Sequence, residues 1–111
     1  MGQETKFRLV LVTCATLEEG RKIARAVVLE RLAACVNVVT HAIESLYTWE
    51  GKLEDSSEYL LMMKTSEDRL SELENRVRQL HSYETPEFVV LPITAGSEEY
   101  LRWLDQSVQS N

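Results

Sequence analysis

The 111-residue sequence is poor in several features, and each shortage excludes a class of protein. Its two cysteines, Cys14 and Cys35, are too few for a disulfide framework, so we expect free thiols in a reducing compartment. No apolar run is longer than a β-strand, and no charged segment followed by an apolar one opens the chain. These absences predict a protein without a membrane partner and with a cytoplasmic location.

Positive charge is also in short supply. Twelve lysines and arginines face 18 aspartates and glutamates, which gives a formal net charge of −6 at pH 7. An acidic surface repels phosphate backbones, so nucleic acid is not expected as a partner. With 44% hydrophobic residues and 27% charged residues, the composition is typical of a folded domain. We predict one domain over residues 1–111, with residues 1–6 frayed.

Hydrophobic periodicity predicts the order βαββαβ followed by a terminal helix. The predicted elements are a strand at 7–12, a helix from Thr16, a strand at 35–49, a return strand ending at 63, a helix from Ser66, a strand at 88–93 and a helix from 96. Thr16 and Glu19 have the spacing of a capping box. The long second strand is expected to bend near His41, and Gly51 is expected to turn the hairpin.

This order of elements limits the architectures that the chain can adopt. Crossover rules leave few arrangements, of which the ferredoxin-like α+β sandwich is the commonest. We therefore predict a βαββαβ sandwich with a long hairpin between its second and third strands and a C-terminal helix. In that fold the second and fourth strands form the edges, and the helices of the repeat lie on one face.

The strands predict self-association. A sheet with one face in water alternates apolar and polar residues, but residues 9–12 and 59–63 are apolar on both faces. The hairpin at 43–58 also presents an unpaired edge with large rings. Assembly of several copies would cover the second face and pair the edges. The alternative is a monomer with an imperfectly covered sheet.

Several motifs occur together in an order that resembles the CutA family. The most distinctive segment is residues 30–37, ERLAACVN, followed by the hairpin pattern Ser45-x-Tyr47-x-Trp49-x-Gly51. Further matches are Glu58, Lys64-Thr65, His81-x-Tyr83-x-x-Pro86-Glu87, Leu91-Pro92 and Tyr100-Leu101-x-Trp103. They extend from Phe7 to about Val108, so the resemblance covers nearly the whole chain.

The resemblance carries expectations about assembly and function. It implies a ferredoxin-like fold, a tight homotrimer whose long hairpins cross subunit boundaries, and a link to tolerance of copper and other divalent cations. The homotrimer agrees with the argument from the apolar sheet. The CutA architecture is also similar to that of the trimeric PII signalling proteins, which bind small molecules.

Cys14 and His81 are the natural metal ligands, because a thiolate with an imidazole suits copper or zinc. The resemblance places the copper ligands of some CutA proteins at a first-strand cysteine and two adjacent histidines. Here those positions hold Val12 and Leu80, so only His81 of the histidine pair is present, and Ser82 replaces a proline. The alternative is that His81 caps the helix C-terminus, where a cation is favoured.

The chain's other cysteine and histidine have simpler interpretations. Cys35 follows small and apolar residues, which favours packing in the core. His41, near the expected bend, is interpreted as a surface side chain.

A second group comprises Trp49, Glu58, Tyr83 and Glu87. If a neighbouring hairpin lay over the turn at Pro86, these residues could line an inter-subunit cleft that binds a ligand. The alternative is that the rings anchor a subunit interface while the carboxylates bind backbone, lysine or arginine donors.

The sequence lacks the motifs of common enzymes. It has no Gly-rich phosphate loop, no metal-hydrolase His-Glu spacing and no nucleophile elbow. The leading hypothesis is therefore a non-enzymatic, homotrimeric protein of divalent-metal tolerance. The second is a PII-like trimer that binds a small molecule, and an enzyme using Cys14 is a distant third.

Overall fold

Five strands and three helices make up most of residues 5–109, which the computed structural model describes. The strands are β1 (Phe7–Cys14), β2 (Cys35–Val38), β3 (Ile43–Trp49), β4 (Lys52–Ser66) and β5 (Val89–Pro92). The helices are α1 (Leu17–Leu29), α2 (Leu70–Leu80) and α3 (Glu98–Val108), and a 3-10 turn at Glu67–Arg69 leads into α2. The predicted order is confirmed, with β2 and β3 as two parts of the one expected strand.

The sheet has the predicted topology. Its order is β2-β4-β1-β5 with antiparallel neighbours, so β2 and β5 form the edges. The 15-residue β4 continues past the sheet body and pairs with β3 from Ile43↔Glu58 to Trp49↔Lys52. Residues 39–42 separate β2 from β3 at the predicted bend. Glu50 and Gly51 have φ values of 52° and 80°, the positive values that a tight hairpin turn requires.

The main core lies between the sheet and helices α1 and α2. Val10 and Val12 of β1 pair with Met63 and Leu61 of β4, and none of the four is exposed to solvent. The helices contribute apolar residues at the i, i+3 and i+4 spacing of one face, namely Ile23, Ala24, Val27, Leu73 and Val77. Burial of these side chains holds β1 against α1 and thereby fixes the end of β1 where the candidate site lies.

The opposite face of the sheet is partly covered by α3. Because side chains alternate along a strand, Leu9 and Leu11 point away from α1 and α2. We call this the helix-free face, since neither α1 nor α2 lies on it. At one end α3 packs Leu104 and Val108 against Phe7. At that end the chain itself, and not a further copy as predicted, therefore covers this face, while Val89 beyond it is 48% exposed.

The N-terminal segment is more firmly attached than predicted. The carbonyl oxygen of Lys6 accepts the backbone N–H of Glu67 at 2.7 Å, and the Lys6 ammonium lies 2.8 Å from Asp105. The prediction that Thr5 and Lys6 are frayed is wrong, because both contact later elements. Residues 1–4 lie outside the described residues.

The burial of two helical leucines predicts how much each one contributes to the stability of the fold. Leu73→Ala removes a side chain with no exposure, so we expect the free energy of unfolding to fall by about 2–5 kcal/mol. Leu29→Ala, at a position 82% exposed at the end of α1, should change it by less than about 0.5 kcal/mol. Urea unfolding of both variants at one protein concentration checks this, and equal losses would contradict the assignment of the core.

Candidate functional site

The end of β1 places two neighbouring residues on opposite faces of the sheet. Cys14 points towards the helices and is completely buried, while Thr13 points to the helix-free face. Helix α1 crosses close above Cys14, because a Cβ atom added to Gly20 would lie 3.9 Å from the Cys14 sulfur and 3.3 Å from Leu61. The small residue in α1 therefore lets the helix approach the thiol closely.

His81 lies directly after α2, and both of its ring nitrogens are hydrogen-bonded. Nε2 lies 2.7 Å from the carbonyl oxygen of Thr13, and Nδ1 lies 3.0 Å from the backbone nitrogen of Tyr83. A carbonyl can only accept, so Nε2 carries the proton and Nδ1 accepts the Tyr83 N–H. The ring thus joins the end of α2 to the end of β1. His81 is the C-cap residue of α2, since its backbone N–H donates to the Val77 carbonyl at 2.9 Å, but within residues 5–109 its ring bonds no α2 carbonyl.

Glu19 completes a group of three possible ligands. Its carboxylate accepts the backbone N–H and the hydroxyl of Ser82, each at 2.8 Å, while Thr16 caps α1 through a 3.1 Å bond from the Glu19 N–H. Glu19 Oε2 also lies 3.4 Å from His81 Nδ1. Each of Cys14, Glu19 and His81 offers one possible ligand atom, and these three atoms all lie within 4.8 Å of one another. We call these three residues the Cys14 cluster.

The sequence identified two of the three members of this cluster. Cys14 and His81 were proposed together, and the fold brings them together. Glu19 was interpreted only as part of a capping box, because its partner Ser82 is 63 positions away. The helix-start spacing showed that Glu19 lies in the first turn of α1, but no local pattern showed where its carboxylate points.

Two of the three positions that the resemblance assigns to copper ligands hold apolar core residues here. Val12 is completely buried in the core, and Leu80 packs against the same core. Cys35 is only half-buried and pairs with Lys64 on the helix-free face, so its interpretation as a core residue is wrong. His41 is exposed, as predicted.

The surroundings of Cys14 favour its neutral thiol. Burial, together with the negative charges of Glu19 and Glu58, raises the pKa of Cys14 to about 12. The thiol is therefore protonated at neutral pH, which makes it a poor nucleophile.

The Cys14 cluster has the donor types of a transition-metal site. A sulfur, an imidazole nitrogen and a carboxylate suit zinc or copper, and a ligating histidine usually donates its other ring N–H to a carbonyl, as His81 does to Thr13. These ligand atoms already form other bonds. The Tyr83 N–H donates to His81 Nδ1, the Ser82 N–H donates to the Glu19 carboxylate, and the Cys14 thiol keeps its proton. The residues therefore fit a metal in type and spacing, in competition with these hydrogen bonds.

A cleft of about 580 Å³ adjoins the Cys14 cluster on the other side of β1. It is lined by Thr13, Tyr47, Trp49, Glu54, Glu58, Tyr83, Glu84, Thr85 and Glu87. All four residues of the predicted second group are present. A single chain brings them together, however, so the neighbouring hairpin in that prediction is not needed to form the cleft.

Tyr83 joins the cleft to the Cys14 cluster. Its ring lies 4.8 Å from the His81 ring, and its hydroxyl donates to Glu58 Oε2 at 3.0 Å. Burial, together with the negative Glu58, raises the pKa of Tyr83 to about 12. Partial desolvation and the Glu58 charge also raise the pKa of Glu87. The cleft is therefore a region of concentrated negative charge.

The fold and the site together define the class of the protein. It is an α+β protein with ferredoxin-like topology, a long hairpin and a buried Cys-Glu-His cluster at the end of its first strand. The family model described as CutA1 divalent ion tolerance protein matches residues 8–107. The chain therefore belongs to the CutA1 family of divalent ion tolerance proteins, as the sequence motifs indicated.

Individual relatives agree with this assignment. The chloroplastic CutA protein of Arabidopsis thaliana is 47% identical over 92% of this chain, and the chain spans 56% of that relative's length. The divalent-cation tolerance protein CutA of Thermus thermophilus is 46% identical, over 89% of this chain and 95% of the relative. The crystal structure of CutA1 from Oryza sativa matches with a TM-score of 0.91 and 41% identity, covering 97% of this chain and 98% of that one.

The prediction of a strictly cytoplasmic location, made from features that the sequence lacks, is wrong. One relative is named as chloroplastic, and a CutA structure from Archaeoglobus fulgidus, with a TM-score of 0.89 and 36% identity, covers 93% of this chain and 99% of its own and is titled periplasmic. Among residues 5–109, no helix combines the length and apolar character needed to cross a membrane.

The raised pKa of Cys14 predicts slow alkylation. In a Cys35→Ser variant, iodoacetamide at pH 8.5 should modify folded Cys14 on the order of a thousandfold more slowly than the urea-denatured chain, because far less thiolate is present. Mass spectrometry measures both rates, and Cys14→Ser reports the reaction of the half-buried Cys35. Equal rates in folded and denatured chains would contradict the burial of Cys14.

Proposed function

We propose that this chain is a non-enzymatic protein of divalent-metal tolerance that binds a transition metal, copper in the first instance, at the Cys14 cluster. The observation that carries the proposal is the convergence of sulfur, nitrogen and oxygen donors within 4.8 Å. Membership of the divalent ion tolerance family supports the same function. The Thermus thermophilus relative is named as a divalent-cation tolerance protein, a name that gives no reaction.

The roles of the three residues follow from their contacts. Cys14 supplies a thiolate once it releases its proton, and His81 supplies Nδ1 while Nε2–H stays on the Thr13 carbonyl. Glu19 supplies a carboxylate oxygen from the first turn of α1. Because Tyr83 and Ser82 compete for two of these donors, we expect modest affinity and a change in the loop after α2 when metal is bound.

Metal titration with matched variants tests this proposal. Cys14→Ser and His81→Gln should each weaken binding of Zn²⁺ or Cu²⁺ at least about tenfold, since each removes one of only three protein ligands. His81→Gln retains an amide that can donate to the Thr13 carbonyl, which favours a folded variant. Calorimetry with Zn²⁺, which has no redox chemistry, measures the affinities, and Cu²⁺ is compared with it.

The controls are the chain's other cysteine and histidine. Cys35→Ser and His41→Ala should leave the affinity unchanged, because neither residue belongs to the Cys14 cluster. Metal binding that survives both Cys14→Ser and His81→Gln, but is lost in His41→Ala, would contradict the proposed ligands.

We also propose that the chain forms a homotrimer that covers the helix-free face. Val89, with 48% exposure, and Leu91, with 38%, are apolar side chains on that face in an edge strand. The hairpin carries two more exposed apolar side chains on its other face, Leu46 at 61% and Leu53 at 73% exposure. Exposed apolar surface next to an unpaired strand edge is typical of a subunit interface.

The mass in solution tests the assembly. Light scattering on the eluting protein should give three times the 12.8 kDa chain mass. Val89→Lys should lower the mass, because it places a charge on the helix-free face, whereas Leu29→Lys on the helix side should not. A stable, folded single chain in dilute buffer would contradict the trimer.

The cleft favours a second candidate function. A PII-like trimer would bind a small molecule, and a volume of about 580 Å³ is within the usual range for ligand sites. Thermal-shift screening against metabolites tests this function, and a screen without any stabilising compound would count against it.

A further inference from the structure

The cleft carries more negative charge than the protein neutralises. Its lining includes the carboxylates of Glu54, Glu58, Glu84 and Glu87 and no lysine, arginine or histidine. None of the four forms an ion pair within the part of the chain that the structure describes. In a single chain, a positively charged group entering the cleft would therefore meet an attractive field without having to displace a protein cation.

Glu58 is the least exposed of these four residues, and one of its carboxylate oxygens has no protein partner in the described part of the chain. Only 8% of the residue is exposed, yet its one hydrogen bond within residues 5–109 is the Tyr83 hydroxyl to Oε2. Oε1 therefore has no protein donor there. Oε1 is open to the solvent in the cleft, because the described residues hold no buried side-chain oxygen that lacks a hydrogen-bond partner. Glu58 has one neutral donor and faces a cleft.

The other walls of the cleft are aromatic. Tyr47 and Trp49 lie on the same side of the hairpin as Glu54 and Glu58, because β3 and β4 are paired in register and side chains alternate along each strand. Tyr83 faces them from the loop after α2. The face of an aromatic ring attracts organic cations and also packs against apolar groups. This combination distinguishes the cleft from a cluster of surface carboxylates.

We propose that the cleft binds a small organic cation, a primary ammonium or guanidinium group on an apolar or aromatic body. The N–H donors of the cation would bind Glu58 Oε1, and its body would lie between Trp49 and Tyr83. A bare divalent metal fits less well, because the rings offer it no ligand and it favours oxygen donors on several sides. The net charge of the chain, −6, favours the same class of ligand.

This inference rests on the second candidate function, ligand binding at the cleft, and does not require a metal at the Cys14 cluster. Loss of Zn²⁺ binding in Cys14→Ser would leave it unaffected. A small molecule without positive charge that binds the cleft would support the second candidate function and overturn this inference.

Calorimetry with two probes of the same shape tests the proposal on the full chain. Phenethylamine, which is an ammonium ion at pH 7, should bind at least about tenfold more tightly than the neutral 2-phenylethanol, the effect of one charge-assisted hydrogen bond. MgCl₂ is titrated alone in a third arm. Equal binding of the two probes, no binding of the amine, or Mg²⁺ binding that displaces the amine would each overturn the proposal.

Two variants with the same change of charge localise the effect. Glu58→Gln should weaken amine binding at least about tenfold, and the amide can still accept the Tyr83 hydroxyl. Glu44→Gln removes one negative charge from the other face of the same hairpin and should change binding less than about twofold. Equal losses in both variants would show a general charge effect and overturn the site.

Trp49→Leu tests the role of the ring. The substitution should weaken binding of phenethylamine while the solution mass stays unchanged. If the solution mass falls while amine binding is unchanged, Trp49 is an interface anchor. Trp49 would then not contact the cation, and that part of the proposed site would be wrong.

Discussion

The two hydrogen bonds of the His81 ring are the constraint on which both candidate sites depend. One joins the ring to the Thr13 carbonyl at the end of β1, and the other receives the N–H of Tyr83. The first fixes the loop after α2 against the sheet and directs Nδ1 towards Glu19. The second sets the path of the chain that carries the Tyr83 ring to the cleft. A change at His81 would therefore move the ligands of one site and a wall of the other.

The arrangement makes metal binding and internal structure compete for the same atoms. Nδ1 is an acceptor for Tyr83, the Glu19 carboxylate is an acceptor for Ser82, and Cys14 keeps its proton because it is buried. A site of this kind is closed in the absence of metal and is expected to open only when a metal compensates for the lost bonds. That behaviour agrees with the apolar Val12 and Leu80, which leave this chain without the other ligand positions that the resemblance implies.

Much of the fold could be predicted because its determinants are local. The cap at Thr16, the turn at Gly51 and the alternation along the hairpin lie within a few residues of their partners, so sequence patterns identify them. The Lys6 contacts, the role of Glu19 and the position of α3 depend on residues far away in the sequence. Cys35 was interpreted as a core residue from its small and apolar neighbours, but the register of its strand decides which face it points to, and those neighbours do not define the register.

The cleft also has some features that could be predicted from the sequence and others that could not. Trp49, Glu58, Tyr83 and Glu87 were grouped correctly, since two lie on paired hairpin strands and two flank one turn. The path of the loop after α2 determines that one chain is enough to form the cleft and that Tyr83 donates to Glu58. No sequence pattern defines that path, because it is set by the contact between His81 and β1.

Nitrogen-15 NMR of the His81 ring tests this central contact most directly, with the exposed His41 as an internal reference. The account predicts a protonated Nε2 and an unprotonated Nδ1 in the free protein. One equivalent of Zn²⁺ should then shift Nδ1 and the amide signal of Tyr83, with Nε2 still protonated. The opposite tautomer, or a response confined to His41, would contradict the account.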